Sequence, residues 1–425
     1  MAKKTYQAPR GTRDILPEDQ VYFDYLEKTF ESIIKTAGFQ KITTPIFEET
    51  ELFIQGVGKG TEIVDREMYT FDDKSRNSLT LRPEGTSPIV RAYLENGMQS
   101  WSQPVKLYYY MPMYRYDRPQ AGRYREHWQF GLEMIGDEEP IADVTVILSA
   151  QRVYKKLGLW PRLSLQLNSI GCSSCRPKYI KELREYYKDN LKKVCSDCKT
   201  RYKGNLLRLL DCKERKCQTV IEEAPQIINF LCRECHDHFK EVLELLDEIN
   251  VVYEINPCLV RGLDYYTKTV FEFWTEKEGA QNSLGGGGRY DGLIEALGGK
   301  PTPGLGFAGG VDRTVEYLKN NPEVDILFNH QADVFVAQLG DNARKSCLKL
   351  LCGLWDEEII AEGCLDKGGI SEQLSMANRL KVKYTLIIGQ KEAFDETVII
   401  KEMSSGNQEI YPQNNVVREI KKRLK

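Results

Sequence analysis

"YRYDRPQAGRYREHW" runs from Tyr114 to Trp128 and poses the fold question, because it sets four arginines, Arg115, Arg118, Arg123 and Arg125, between two apolar runs. "VKLYYYMPM" precedes it and "QFGLEMIG" closes it, both rich in the aromatic and aliphatic types of buried or half-buried strands. The pattern predicts two strands joined by a loop that Pro119 and Gly122 bend. Arginine keeps its charge and presents a planar fork of donors that suits carboxylate and phosphate oxygens. Four on one loop point to a polyanion such as a nucleotide's phosphates, whose chemistry depends on positioning and charge stabilisation. The competing account is a solvated hairpin whose arginines pair with Asp117 and Glu126.

Outward from the loop, the chain divides by pattern. Phe23, Leu26, Phe30, Ile33 and Ile34 form one helical stripe that Gly38 ends. "FQKITTPIFEE" alternates like a strand, but Pro45 confines it to an edge, a bulge or a subunit contact. A helix follows "LTLRPE" and ends at Gly97. Strand patterns recur at "LSLQLNSIG", "TKTVFEFWT" and "GLGFAGG", with "ADVTVILSAQRVYKKLG" helical. Hairpin-length connections predict an α+β core with a mainly antiparallel sheet over residues 1–171 and 251–325. Residues 172–250 read as a helical, cysteine-rich insertion. From 331 to 425 strands and helices alternate, "DVFVAQLG" then "ARKSCLKLLCGLWDEE", which predicts a separate α/β domain after the linker "NNPEVDILFNHQ".

The bulk numbers fit a globular protein of two or three domains. The 425 residues carry 59 Lys and Arg against 62 Asp and Glu, a net charge of −3, so a polyanionic partner must meet local basic patches. No apolar run reaches the ~18 residues of a membrane span, and the basic N-terminus lacks the apolar stretch of a secretory signal, so the expected compartment is the cytoplasm.

Further segments carry chemistry. Glu84, Gly85 and Thr86 stand at the mouth of a helix, where acceptors could hold an ammonium group; the plainer account is an N-terminal cap, which Thr86 alone would satisfy. Arg261 precedes an aromatic strand and either binds an anion or pairs with Asp264. Gly285 to Gly288 allow close backbone approach to a ligand or a flexible turn, without the spacing of a P-loop. Arg313 falls in the first turn of a helix, as an anion ligand or a surface charge.

In this order the segments closely resemble the histidyl-tRNA synthetases, class II aminoacyl-tRNA synthetases, over nearly the whole chain. "GFQKITTPIFEE" is similar to motif 1, which implies a homodimer; "YRYDRPQAGRYREHWQFGLE" to motif 2; "GLGFAGGVDR" to motif 3. "RGLDYYTKTVFEFW" and "GGGGRYDGL" are similar to the two histidine-specific signatures. The resemblance implies that ATP, Mg²⁺, L-histidine and tRNA(His) are bound, and that histidine is joined to its tRNA through a histidyl-adenylate.

By position, it implies that Arg115 and Arg261 act at the α-phosphate, while Arg123 and Arg313 hold the distal phosphates. Glu84, Gly85, Thr86 and Gln129 would receive the ammonium group, and Glu133, Tyr265 and Tyr266 the imidazole. Two departures fall on nucleotide contacts: Asp117 stands where the family has Glu, and His127 where a Phe often stacks on adenine. Residues 331–425 resemble the family's anticodon-binding domain; the basic end "REIKKRLK" meets phosphates or is a charged helix surface. A histidine-sensing regulatory paralogue is the rival reading, but such proteins typically lose the catalytic arginines and the C-terminal domain present here. A zinc-dependent nucleic-acid binder would explain the cysteines but not the arginine sites.

Eight of the twelve cysteines fall between Cys172 and Cys235, three pairs of them as C-x-x-C. In a reducing compartment that spacing favours metal over disulfide. Cys195, Cys198, Cys212 and Cys217 would form one zinc set, and Cys172, Cys175, Cys232 and Cys235 a second, with His236 or His238 able to replace a thiolate. Free thiols or a redox pair are the alternatives. Cys258, Cys347, Cys352 and Cys364 read as ordinary core residues.

Overall fold

The structure is a computed structural model that describes residues 6–118, 122–160, 162–276, 282–321, 332–363 and 369–424. Pro119, Cys364 and most of the expected linker lie outside them. The chain divides into two compact units, Met1–Ile326 and Leu327–Lys425.

The first unit is built on an eight-stranded sheet whose central six strands are antiparallel. In spatial order these are Val105–Tyr114, Glu126–Ile135, Gly304–Gly310, Ser283–Arg289, Thr267–Thr275 and Leu163–Ser169. Short parallel strands, Gln40–Lys41 and Glu254–Ile255, close the two edges. The two strands flanking the arginine loop pair in register from Val105 opposite Ile135 to Tyr114 opposite Glu126, so the loop sits at one end of a long hairpin.

Helix Pro17–Thr36 starts with proline, whose missing N–H costs nothing at that position, and turns Phe23, Leu26, Phe30 and Ile34 onto the sheet. Helix Pro140–Lys156 shares this layer. Burying each such side chain fully contributes roughly 1.5–3 kcal/mol. Pro45 behaves as expected of a strand breaker: it separates Gln40–Lys41 at the edge of the large sheet from Phe47–Glu49 in a separate three-stranded sheet. Arg82, fully buried, fastens this corner by donating to the carbonyls of Thr44 at 2.8 Å and Pro45 at 3.1 Å.

The four glycines form no turn: they lie in the central strand Ser283–Arg289, and Gly285 and Gly286 line the larger of two cavities in the first unit. A Cβ on Gly287 would stand 1.9 Å from the Gly306 carbonyl oxygen, so the close approach is to a neighbouring strand.

The segment 172–250 is helical, as expected, with Arg176–Asn190 and Arg233–Glu248 its longest helices. Its Tyr179, Leu183, Tyr187 and Cys217 share one apolar cluster with Tyr109, Ile135 and Val270 of the sheet, so it is fused to the core.

The second unit has a five-stranded sheet. Ala361–Gly363, Val334–Gln338 and Tyr384–Ile388 run parallel, and Thr397–Glu402 and Gln408–Pro412 extend it antiparallel. Cys347, Leu350, Leu351 and Leu354 pack helix Asp341–Asp356 onto it. Cys347 is thus a core residue, Cys258 is half-buried, and Cys352, expected inside, is exposed.

Candidate active site

Two adjoining cavities, about 630 Å³ and about 210 Å³, open into the first unit and share Arg115, Gln129 and Arg261. The larger is lined by Arg115, Asp117, Arg123, His127, Arg261 and Arg313; the smaller by Glu84, Gly85, Thr86, Tyr265 and Tyr266. Residues separated by almost two hundred positions in sequence therefore meet in one place, at a volume typical of small-molecule sites.

Of the loop arginines, Arg115 and Arg123 face the larger cavity. Arg115 is held by donation from its Nε to the Pro83 carbonyl at 2.7 Å. Arg123 pairs with Asp117 at 3.1 Å, the contact anticipated by the solvated-hairpin account, yet both remain on the cavity wall. Arg118 is exposed, and Arg125 stacks its guanidinium 3.8 Å over the Tyr116 ring. Arg313, three residues into helix Val311–Lys319, donates to the Ser283 carbonyl at 3.1 Å. Burial, then repulsion from Arg123, lowers its proton affinity. Like charges held this close are what an anion between them would relieve.

Arg261 does not pair with Asp264. Its carboxylate partner is Glu272, which also accepts from the Trp274 indole at 2.7 Å, while Asp264 accepts from Asn205 at 2.9 Å. Burial disfavours the Arg261 charge, but Tyr266 and Glu272 overcome this and raise its pKa. It enters the cavity as a fixed cation.

The helix-mouth residues also differ from the plainer account. Glu84, not Thr86, caps the helix: its two carboxylate oxygens accept the N–H groups of Thr86 at 2.7 Å and Ser87 at 2.9 Å. Thr86 instead donates its hydroxyl to Glu133 at 2.8 Å. Glu133 does not line either cavity; it lies beneath the smaller one, buried, and also accepts from Tyr290 at 2.6 Å. Burial pushes its pKa up to about 8 despite those two hydroxyls.

His127 is held neutral, its pKa pushed down to about 3 by burial and by the positive charges of Arg115 and Arg313. A neutral ring on this wall is compatible with stacking. Tyr265 and Tyr266 have ring centroids 4.7 Å apart, with Arg261 5.4 Å from the Tyr266 centroid.

Sequence reasoning missed Glu272, Tyr290 and Asp312. Asp312 accepts from Arg13 at 2.8 Å and from the Trp128 N–H at 2.8 Å, tying the N-terminal segment to the arginine hairpin. Glu272, an acid between Phe271 and Phe273 in a strand, carried a readable signal; Asp312 sits in a polar helix start and carried none.

The eight insertion cysteines form the two expected sets, with the sulfur atoms of each set within 4.8 Å of one another. His236 and His238 join neither: His236 lies 3.1 Å from Asp237 and His238 3.3 Å from Asp143.

An antiparallel sheet flanked by helices, with arginines from its hairpin, from the tyrosine-rich loop before a strand and from a helix start converging on a two-part cavity, is the architecture of a class II aminoacyl-tRNA synthetase. Residues 11–314 match the family described as Histidyl-tRNA synthetase and residues 333–423 the one described as Anticodon binding domain. The chain is 46% identical to the histidine–tRNA ligase of Dehalococcoides mccartyi over 99% of its own length and 100% of that protein's. An apo histidyl-tRNA synthetase structure from S. aureus superposes with a TM-score of 0.80 at 35% identity, covering 98% of this chain and 100% of that one. A Bacillus halodurans structure described as an ATP phosphoribosyltransferase regulatory subunit/histidyl-tRNA synthetase aligns at 22% identity and a TM-score of 0.65, over 91% and 99% of the chains, which bears on the fold alone. The chain belongs to the histidyl-tRNA synthetase family.

Proposed function

We propose that this protein joins L-histidine to tRNA(His) in two steps on the paired cavities. The observation that carries the reading is the convergence of Arg115, Arg123, Arg261 and Arg313 on one cavity beside the Glu84–Thr86 helix mouth and the Tyr265–Tyr266 pair. ATP would occupy the larger cavity with its distal phosphates against Arg123 and Arg313, its adenine near His127. Histidine would occupy the smaller one, its ammonium toward Glu84, Thr86 and Gln129, its imidazole toward Tyr265, Tyr266 and the Glu133 group beneath. A carboxyl whose pKa lies near neutrality can accept from, or donate to, an imidazole nitrogen.

The histidine carboxylate attacks the α-phosphorus; an O–P bond forms as the bond to pyrophosphate breaks. Arg115 and Arg261 lie on the part of the wall shared by both cavities, where they would offset the charge that grows on the α-phosphate oxygens. The tRNA 3′ hydroxyl then takes the histidyl group and releases AMP.

Mg²⁺, which the family implies with ATP, binds chiefly phosphate oxygens plus one or two carboxylates. Glu67 and Glu272 are cavity carboxylates of the required type and would hold it, supplying further charge neutralisation. Residues 1–171 and 251–325 are assigned as the catalytic domain, 172–250 as the insertion and 331–425 as the anticodon-binding domain. Phe47 and Phe71 are 50% and 43% exposed on the three-stranded sheet, with Ile46 46% exposed just before it, which supports a homodimer through this face. No helix of the described residues is long and apolar enough to cross a membrane; a tRNA-charging role assigns the cytoplasm.

Charging of tRNA(His) by purified protein with histidine and ATP tests the reading. Formation of acid-labile histidyl-tRNA is expected; histidine binding without charging or adenylate formation would instead establish the regulatory alternative.

A further inference from the structure

We propose that the chain holds two structural zinc ions, one in each four-cysteine set of the insertion, and that the second positions a wall of the nucleotide cavity. A tetrahedron with Zn–S bonds of ~2.3 Å has sulfur–sulfur edges of about 3.8 Å. The first set has edges of 3.7 Å between Cys172 and Cys175 and 3.9 Å between Cys172 and Cys232; the second has 3.8 Å between Cys195 and Cys212. These separations are close to twice the ~2.05 Å of a disulfide.

The surroundings favour thiolate ligands. Backbone N–H groups point at sulfur in both sets: Cys232 to Cys175 at 3.1 Å and Ser174 to Cys172 at 3.4 Å in the first; Cys195 to Cys217 at 3.2 Å and Cys198 to Cys195 at 3.3 Å in the second. Such donors stabilise and orient negatively charged sulfur. All four cysteines of the second set are buried, and a closed four-thiolate site is a structural one.

Each set is wired to the substrate cavities. In the first, Arg176, next to Cys175, donates to the Tyr266 carbonyl, and Lys268 pairs with Glu234 at 3.1 Å, between Cys232 and Cys235. In the second, the chain between Cys198 and Cys212 forms part of the larger cavity's wall through Arg208, Leu210 and Asp211. Arg201 and Arg208 grip Glu62 on the opposite bank at 3.1 and 3.0 Å, and Asn205 donates to Asp264 at 2.9 Å. Leu206, Leu209 and Leu210 bury the segment's apolar side in the core and Tyr202 bonds Arg184, while the knot of sulfur ties down both of its ends. The wall's effect on ATP rests on the function proposed above; the zinc stoichiometry does not.

The test uses full-length protein purified without chelator from zinc-replete cells, with metal measured per chain. Two zinc ions are expected, and cobalt(II) exchanged into both sites should show the visible absorption of tetrahedral tetrathiolate coordination. The Cys195→Ser/Cys198→Ser double variant should keep one zinc and lose on the order of 10- to 100-fold in kcat/KM for ATP in pyrophosphate exchange, chiefly through KM. Arg208→Ala, which leaves every cysteine in place, should keep two zinc ions and shift KM for ATP in the same direction. Zinc near zero, iron in its place, or loss of both ions from the double variant overturns the two-site assignment. An unchanged KM for ATP in a one-zinc double variant or in Arg208→Ala overturns the positioning role.

Discussion

The Thr86 hydroxyl donates to the Glu133 carboxyl group across 2.8 Å, linking the helix mouth of the smaller cavity to a buried acid. That acid has a folded pKa of about 8 against an ordinary 4.5, raised by burial. Between those values the folded state keeps a proton that the unfolded chain has released, so raising pH costs stability. This contribution is fully present below pH 4.5 and is lost as pH rises toward 8. Glu133→Gln, which cannot ionise, should therefore gain stability relative to wild type as pH rises through that window, by up to about 1.4 kcal/mol per unit. Urea melts of both proteins at several pH values check this; a constant difference would reject it. The same variant should weaken histidine binding.

Arg313 and Arg118 make a controlled pair. Arg313 lines the larger cavity and Arg118 is exposed outside it. Removing a charge-assisted hydrogen bond to a phosphate costs about 1.5–3 kcal/mol. Arg313→Ala should thus raise KM for ATP by roughly tenfold to somewhat over a hundredfold, while Arg118→Ala leaves it within about twofold, as surface substitutions usually do. Equal effects would remove the distinction between the two arginines.

Gly287 faces the Gly306 carbonyl so closely that any side chain must part the central strands. Overpacking of this kind costs about 1–3 kcal/mol or more. A lowered urea midpoint for Gly287→Ala is expected, and an unaltered midpoint would show that the sheet can yield there.

Phe47 and Phe71 stack edge to face, with centroids 6.3 Å apart, on an exposed sheet. If this face joins two copies, Phe47→Glu should produce monomers in sedimentation velocity runs in which wild type is dimeric. A variant that stays dimeric places the interface elsewhere.

The fold was legible where period and punctuation agreed. The stripe from Phe23 to Ile34, the paired strands around the arginine loop and the break at Pro45 all carry local signals that the tertiary structure reinforces. The glycine strand was illegible because its sheet position comes from its neighbours' need for space, as a Cβ on Gly286 would come 2.5 Å from the Phe271 carbonyl oxygen. At the site, residue types announced the anion ligands, but partners such as Glu272 for Arg261 depend on strand register. The cysteine pairing was readable because C-x-x-C spacing confines three of the four half-sites to one turn each, with Cys212 and Cys217 supplying the fourth.

The central claim, that these dispersed arginines serve one nucleotide beside one amino acid, is tested most directly by ATP–pyrophosphate exchange across the twenty amino acids, with wild type and Arg261→Ala side by side. Wild type should exchange strongly with histidine and near background with the other nineteen, and the folded Arg261→Ala protein should lose the histidine signal. Exchange supported by a different amino acid, or wild-type rates in Arg261→Ala, would contradict it.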